Sequence, residues 1–187
     1  MISYPMIWWL FPIIALTYIL LSFLLTHSGK LEDKAIRKTL VSAGAMLGFL
    51  TFVLPIFEQP TFKHPLFQYG LGCLLLILGL FGRIYPMIYL RKKGTTTTLD
   101  EVSKLVDTGP YACVRHPQYT AGLVMLLGWF LVWGAWYALC VLPLMAAIIY
   151  AQAHIEEKYI LEKMFGEAYT AYRKRVGMLL PRRRPGD

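Results

Sequence analysis

The chain has 187 residues, of which 57% are hydrophobic and only 16% charged. A soluble domain carries about 25% charged residues, so this composition, with a mean hydropathy of +0.50, excludes an ordinary water-soluble globule and asks for a bilayer. A net charge of +8 would suit nucleic acid, but the basic residues sit in loops flanking apolar runs and in the tail, which marks topology determinants and contact with anionic lipid headgroups rather than a nucleic-acid partner.

A spanning helix needs about 20 predominantly apolar residues, and the first run of that kind is Pro5 to Thr26. Trp8 and Trp9 stand near its outer edge as interfacial anchors. It reads as a span and not as a secretory signal, since no basic segment precedes it and no A-x-A-like site follows. A basic loop from His27 to Lys38 leads to a second span, Thr39 to Phe57, where Gly44 and Gly48 have the small-xxx-small spacing of close helix contact. Glu58 to Pro65 is a short polar turn. The third span, Leu66 to Leu90, carries Gly70, Gly72, Gly79 and Gly82 together with Arg83 and Pro86, and Arg91, Lys92 and Lys93 stop it.

Thr95 to Thr98 open a polar connector, read as loop, that passes through Leu105 and Val106 into Gly109-Pro110-Tyr111-Ala112-Cys113-Val114-Arg115-His116-Pro117-Gln118-Tyr119. Pro117 biases His116 away from helical geometry, as Pro110 does Gly109, so this stretch is a fixed turn that opens the next helix near Gln118. Tyr119 to Tyr150 is too long for one span and reads as a helical hairpin turning at Gly134, with Pro143 as a kink in its second arm. Beyond it come Glu156 and Glu157. Ile155, Tyr159, Phe165, Tyr169, Tyr172 and Val176 then recur at the steps of an amphipathic helix that either lies on the membrane or covers a site.

The expected fold is therefore an all-α integral membrane protein of about five transmembrane helices with a cytosolic carboxyl-terminal amphipathic helix. It reads as a single membrane-embedded domain over 1–187, with three spans in 1–93, connector and motif in 94–118, the hairpin in 119–153 and the tail helix in 154–187. Three cysteines without paired spacing give no disulfide framework and no zinc signature, so no metal is expected.

Two polar clusters bracket the hairpin, and that short hairpin can bring the Arg115-His116-Pro117 turn and the Glu156-Glu157 pair together. A turn bearing a cation, an imidazole and two phenols suits a binding site. It also suits a juxtamembrane anchor, because Arg and Tyr favour bilayer interfaces. Arg83 presents the same choice. An Arg inside an apolar span costs about 2.5–3.5 kcal/mol at the bilayer centre. It either snorkels to the interface, two turns from Arg91, or faces the bundle and directs its charge at an anionic acceptor.

Gly109-Pro110-Tyr111 with Val114-Arg115-His116-Pro117-Gln118-Tyr119 resembles the signature of the isoprenylcysteine carboxyl methyltransferase family, to which phospholipid N-methyltransferases are related. Glu156-Glu157, Leu161, Phe165-Gly166, Tyr169, Tyr172, Val176 and Pro181 are similar to the same family's carboxyl-terminal block. The matches cover roughly residues 105 to 181. Leu161 lies one position further from the Glu pair than in the family's Glu-Glu-x-x-Leu, so either carboxylate can be the one that faces the site. Met178 stands where many relatives carry a basic residue.

The resemblance implies an S-adenosylmethionine-dependent membrane methyltransferase acting on a lipidic or hydrophobic acceptor, the carboxylate of an isoprenylated cysteine above all. The implied cofactor-binding set is Tyr111, Val114, Arg115, His116, Pro117, Tyr119, Glu156 and Glu157, with His116 as a catalytic candidate; Arg83 is the second, from its charge inside an apolar span and not from the resemblance. The implied partners are the lipid bilayer and a hydrophobic or prenylated acceptor. Two alternatives remain: an NADPH-dependent sterol-type reductase, whose carboxyl-terminal region has a similar R-H-P-x-Y turn, and a non-catalytic small membrane carrier or assembly subunit.

The Lys/Arg asymmetry of the loops places the amino terminus outside and the motif, Glu pair and carboxyl terminus in the cytosol. Reporter fusions after Lys93 and after Asp187 are expected to read cytosolic, and one after Gln59 external. A cytosolic signal at Gln59 would reverse the orientation.

Overall fold

The computed structural model describes residues 6–95 and 104–182. Its helices are α1 (Ile7–His27), α2 (Lys34–Thr51), α3 (Gly72–Lys92), the one-turn α4 (Pro110–Cys113), α5 (Pro117–Trp133), α6 (Trp136–Glu156) and α7 (Glu162–Arg175). A π turn, Leu66–Leu71, leads into α3, and a second, Glu157–Leu161, joins α6 to α7. The all-α membrane architecture expected from composition is what the chain adopts. Among the described residues, four helical segments are long and apolar enough to cross a membrane: Ile7–His27, Lys34–Ile56, Leu66–Lys92 and part of Trp136–Arg175. α5, the remaining expected span, has 17 residues, the short end of the range that crosses a bilayer. Thr95 is irregular as expected; the rest of the threonine run lies outside the described residues.

The chain divides into two compact units, Met1–Gly79 with Leu123–Gln152 and Leu80–Gly122 with Ala153–Asp187. The first unit shows the inverted surface of a membrane bundle. Trp9, Ile13, Leu16, Leu20, Phe23 and Leu24 of α1 are exposed, while Phe11, Ala15, Tyr18 and Ser22 are buried. α1 is apolar on every side, because in lipid both faces meet hydrocarbon. α2 begins at Lys34, five residues before the hydropathy signal at Thr39, because Asp33 caps it: Oδ1 accepts from Ala35 N–H at 2.7 Å and Ile36 N–H at 3.3 Å. Trp8, expected as an interfacial anchor, donates from Nε1 to the Glu58 carbonyl at 2.8 Å. The Gly134 turn forms as expected, and the 58–65 loop pairs with it through Phe62 N–H to the Gly134 carbonyl at 3.0 Å and Trp136 N–H to the Pro60 carbonyl at 3.2 Å.

Two buried side-chain amides in this unit are matched by backbone groups. Gln152 Nε2 donates to the Val41 carbonyl at 2.9 Å, and Gln59 Oε1 accepts from Ala138 N–H at 3.1 Å. Each amide thereby satisfies a backbone group of a neighbouring segment.

Glycines let α3 and α5 touch backbone to backbone. A Cβ on Gly128 would stand 2.6 Å from the Leu76 nitrogen and 2.7 Å from the Gly72 oxygen, and one on Gly79 would stand 2.6 Å from the Met125 nitrogen. Gly79 thus serves the close approach of a neighbouring helix. Neither neighbour is a flexible side chain that can step aside. Gly128→Ala and Gly79→Ala are therefore expected to lower unfolding free energy in detergent by about 1–3 kcal/mol each, the usual cost of overpacking. Unchanged thermal stability in both would show that the two helices are free to separate.

Candidate active site

The second unit is built around the motif turn. Gly109 has φ 61 and ψ −131, and a Cβ there would lie 2.6 Å from the Tyr89 ring, so only glycine fits. Pro110 then starts α4 with a φ already set for a helix. Val114 is extended and forms a parallel bridge with Gly177 beyond α7. Arg115 N–H donates to the Gly177 carbonyl at 2.8 Å, His116 N–H to the Met178 carbonyl at 3.0 Å, and Thr120 Oγ1 to the Leu179 carbonyl at 2.7 Å. The tail is thus strapped across the motif by its backbone. A basic side chain at Met178 is not needed for that contact.

The amphipathic helix covers the motif. Ile155, Tyr159, Tyr169, Tyr172 and Val176 are buried, with Leu161 and Phe165 packed against the last three. Tyr172 Oη donates to the Tyr111 carbonyl at 2.6 Å. Non-helical geometry at Gly166, φ 52, interrupts α7. The extra residue between the Glu pair and Leu161 coincides with the π turn Glu157–Leu161, the usual way a helix absorbs one residue.

The two glutamates face different sides. Glu157 is 1% exposed. Its Oε1 accepts from Arg115 Nε at 2.7 Å and His116 Nε2 at 3.0 Å, and its Oε2 from Arg115 Nη2 at 2.9 Å. A carboxylate only accepts, so His116 carries its proton on Nε2 in this contact. Burial pushes the Glu157 carboxyl up, but the hydrogen bonds and charges of His116 and Arg115 outweigh it and hold it at about 2. Arg115 Nη1 also donates to the carbonyls of Arg173, at 3.2 Å, and Val176. Four of the five guanidinium N–H groups are therefore committed to protein partners.

Glu156 looks the other way, into a cavity of about 290 Å³. Its Oε2 accepts from Tyr119 Oη at 3.1 Å and lies 3.8 Å from His116 Nδ1, too far for a hydrogen bond. Burial raises this carboxyl, and His116 and Tyr119 oppose that without cancelling it. Tyr119 stacks on His116 with ring centroids 5.3 Å apart. Tyr111 forms another part of the wall, its phenol pushed up to about 12 by burial although Gln118 bonds to it. Leu90, Leu105, Val106, Leu161 and Phe165 supply an apolar side.

Of the residues singled out in the sequence, Tyr111, Arg115, His116, Pro117, Tyr119 and Glu156 line this cavity. Val114 and Glu157 stand behind the wall as its frame. Arg83 is not brought to it: the side chain is exposed, with Nη1 3.1 Å from where a Gly122 Cβ would stand. Lys104 was not singled out, yet it lines the cavity. Its one sequence signal is its place directly before Leu105 and Val106 in the connector. Among the described residues no group of His, Cys, Asp or Glu could hold a metal.

The family model for phospholipid methyltransferase matches residues 67–168, more than half of the chain, and takes in the motif turn, the Glu pair and Leu161. The chain belongs to the phospholipid methyltransferase family. Among similar proteins is the protein-S-isoprenylcysteine O-methyltransferase of Saccharomyces cerevisiae, 32% identical over 59% of this chain and 48% of the yeast protein. The Schizosaccharomyces pombe protein of the same name is 32% identical over 41% of this chain and 33% of its own length. A nickel-cobalt-cadmium resistance protein of Alcaligenes xylosoxydans xylosoxydans is 27% identical over 59% of this chain and 48% of its own. This phospholipid methyltransferase family member spans about half or less of the length of these curated relatives. No solved structure matches it significantly.

Acid should expose the weight carried by Glu157. Its folded value of about 2 lies below the ordinary 4.5, so its contribution to stability is complete above pH 4.5 and is lost as pH falls towards 2. Glu157→Gln is expected to flatten the stability profile in that window. Arg115→Met, which leaves the carboxylate buried without its main partner, should cost about 3–5 kcal/mol. A Glu157→Gln profile parallel to wild type would mean that the carboxylate is not held ionised by these partners.

Proposed function

We propose that the chain is an S-adenosylmethionine-dependent membrane methyltransferase acting on a lipidic or hydrophobic acceptor, with the carboxylate of an isoprenylated cysteine as the leading candidate. The observation that carries this reading is the cavity on the motif turn, where one glutamate of the pair faces inward while the other anchors the wall. Its donor set fits such a group. Glu156 keeps Oε1 available for a ribose hydroxyl or an ammonium. Tyr111 and Tyr119 present aromatic faces, which attract a sulfonium by about 0.5–2 kcal/mol in a dry site.

The chemistry supplied by the bound group is a methyl on positively charged sulfur. The chain's own part is positioning, which is worth about 7–11 kcal/mol for well-oriented reactants. Arg115 and His116 shape the turn, Glu157 locks both, and the tail strap excludes water from one side. A carboxylate acceptor, with a free pKa near 3.5, is ionised at neutral pH and needs no base, so the rate should be flat between about pH 6 and 8. His116 then orients the wall through Glu157 and the stacked Tyr119 ring and takes no proton from the acceptor. The orientation with this site in the cytosol follows the charge asymmetry of the loops.

Binding of S-adenosylhomocysteine to detergent-solubilised protein tests the assignment. Glu156→Gln is expected to raise the dissociation constant roughly ten- to a hundredfold, as loss of a charge-assisted hydrogen bond would, with thermal stability retained. His116→Ala should weaken binding as well. Labelled methyl from S-adenosylmethionine should reach an organic-extractable, base-labile product. Folded wild-type protein that binds NADPH but not S-adenosylhomocysteine would overturn the reading.

A further inference from the structure

The cavity has a charge inventory that the sequence motif does not disclose. Arg115, the cation within the motif, has four of its five N–H donors turned to Glu157 and to two backbone carbonyls. His116 spends Nε2 on the same carboxylate. Neither is left to neutralise an anion entering the cavity. Lys104 also lines the cavity, is exposed, and among the described residues forms no ion pair. It directly precedes Leu105 and Val106, which with Leu90, Leu161 and Phe165 form the apolar wall. Glu156 marks the opposite preference, for a cation or a hydrogen-bond donor.

An uncommitted ammonium beside an apolar wall is complementary to an amphipathic anion. We propose that Lys104 receives the anionic group of the methyl acceptor, a carboxylate or a phosphate carried on an apolar chain, and so sets acceptor specificity. This rests on the methyltransferase reading above. It moves the acceptor cation from Arg83, which the structure keeps off the cavity wall, to the connector. For a carboxylate acceptor the bookkeeping is simple. The S–CH3 bond breaks with its electron pair going to sulfur, and an acceptor oxygen forms the new C–O bond. The product is a neutral ester, no proton moves, and Lys104 loses its counter-charge, which favours release.

The test uses the full-length protein in detergent or in neutral-lipid nanodiscs, with an N-acylated prenylcysteine as the carboxylate probe and phosphatidylethanolamine as the phosphate probe. Lys104→Ala is expected to raise the acceptor KM about three- to tenfold, the range between an exposed ion pair and a charge-assisted hydrogen bond. kcat and the dissociation constant for S-adenosylhomocysteine should stay within about twofold, and Lys104→Arg should restore KM, because charge is what matters at an exposed site. Inhibition by the prenylcysteine carboxamide, which lacks the charge, should not respond to either change. The probe whose KM responds identifies the anion. An unchanged KM for both probes, or a loss of S-adenosylhomocysteine affinity equal to the KM effect, overturns the proposal; the second result would place Lys104 on the donor's own carboxylate. Wild-type protein that binds S-adenosylhomocysteine yet turns over neither probe overturns the anionic-acceptor assignment alone. Wild-type protein that does not bind it overturns the methyltransferase reading and this inference with it.

Discussion

A glutamate buried to 1% exposure carries a desolvation cost of several kcal/mol unless its charge is matched. Glu157 is matched by the planar fork of Arg115 and by His116 Nε2, and that necessity organises everything near it. Arg115 is held at one end by Glu157 and at the other by the carbonyls of Arg173 and Val176. The same ion pair therefore ties the end of α6, the motif turn and the end of α7 into one object. Lysine could not do this. It offers a point charge, while the geometry requires donors in several fixed directions.

The neighbouring carboxylate has the opposite environment. Consecutive residues on a helix point about 100° apart, so only one glutamate of an adjacent pair can occupy a given face. The π turn beginning at Glu157 widens the helix at that point and carries Leu161 to the cavity wall. A residue inserted into the sequence pattern is thereby absorbed without displacing the wall. One carboxylate is left as a low-pKa structural anion, and the other as a cavity-facing group whose pKa burial raises. Two groups of one chemistry are separated by environment alone.

The first unit obeys a different constraint. Lipid offers no hydrophobic drive for helices to associate, so close van der Waals contact must supply it. Gly72, Gly79 and Gly128 permit that contact between α3 and α5, and the amides of Gln59 and Gln152 satisfy backbone groups of neighbouring segments. These polar residues maintain the bundle.

The sequence by itself determined the class of molecule. Apolar runs of membrane length, glycines at helix-contact spacing, the turn at Gly134 and the buried face of the tail helix are written in composition and period, which local chemistry sets. The motif turn was legible too, because two prolines restrict its backbone whatever surrounds it. Only the tertiary structure decided which glutamate is anchored and which faces the cavity, since that depends on partners 41 and 42 residues away. It also decided that Arg115 is spent on the protein, that Arg83 lies off the cavity and that Lys104 lies on it. A cation's availability depends on which acceptors the fold brings within 3 Å of it, and no spacing along the chain encodes that.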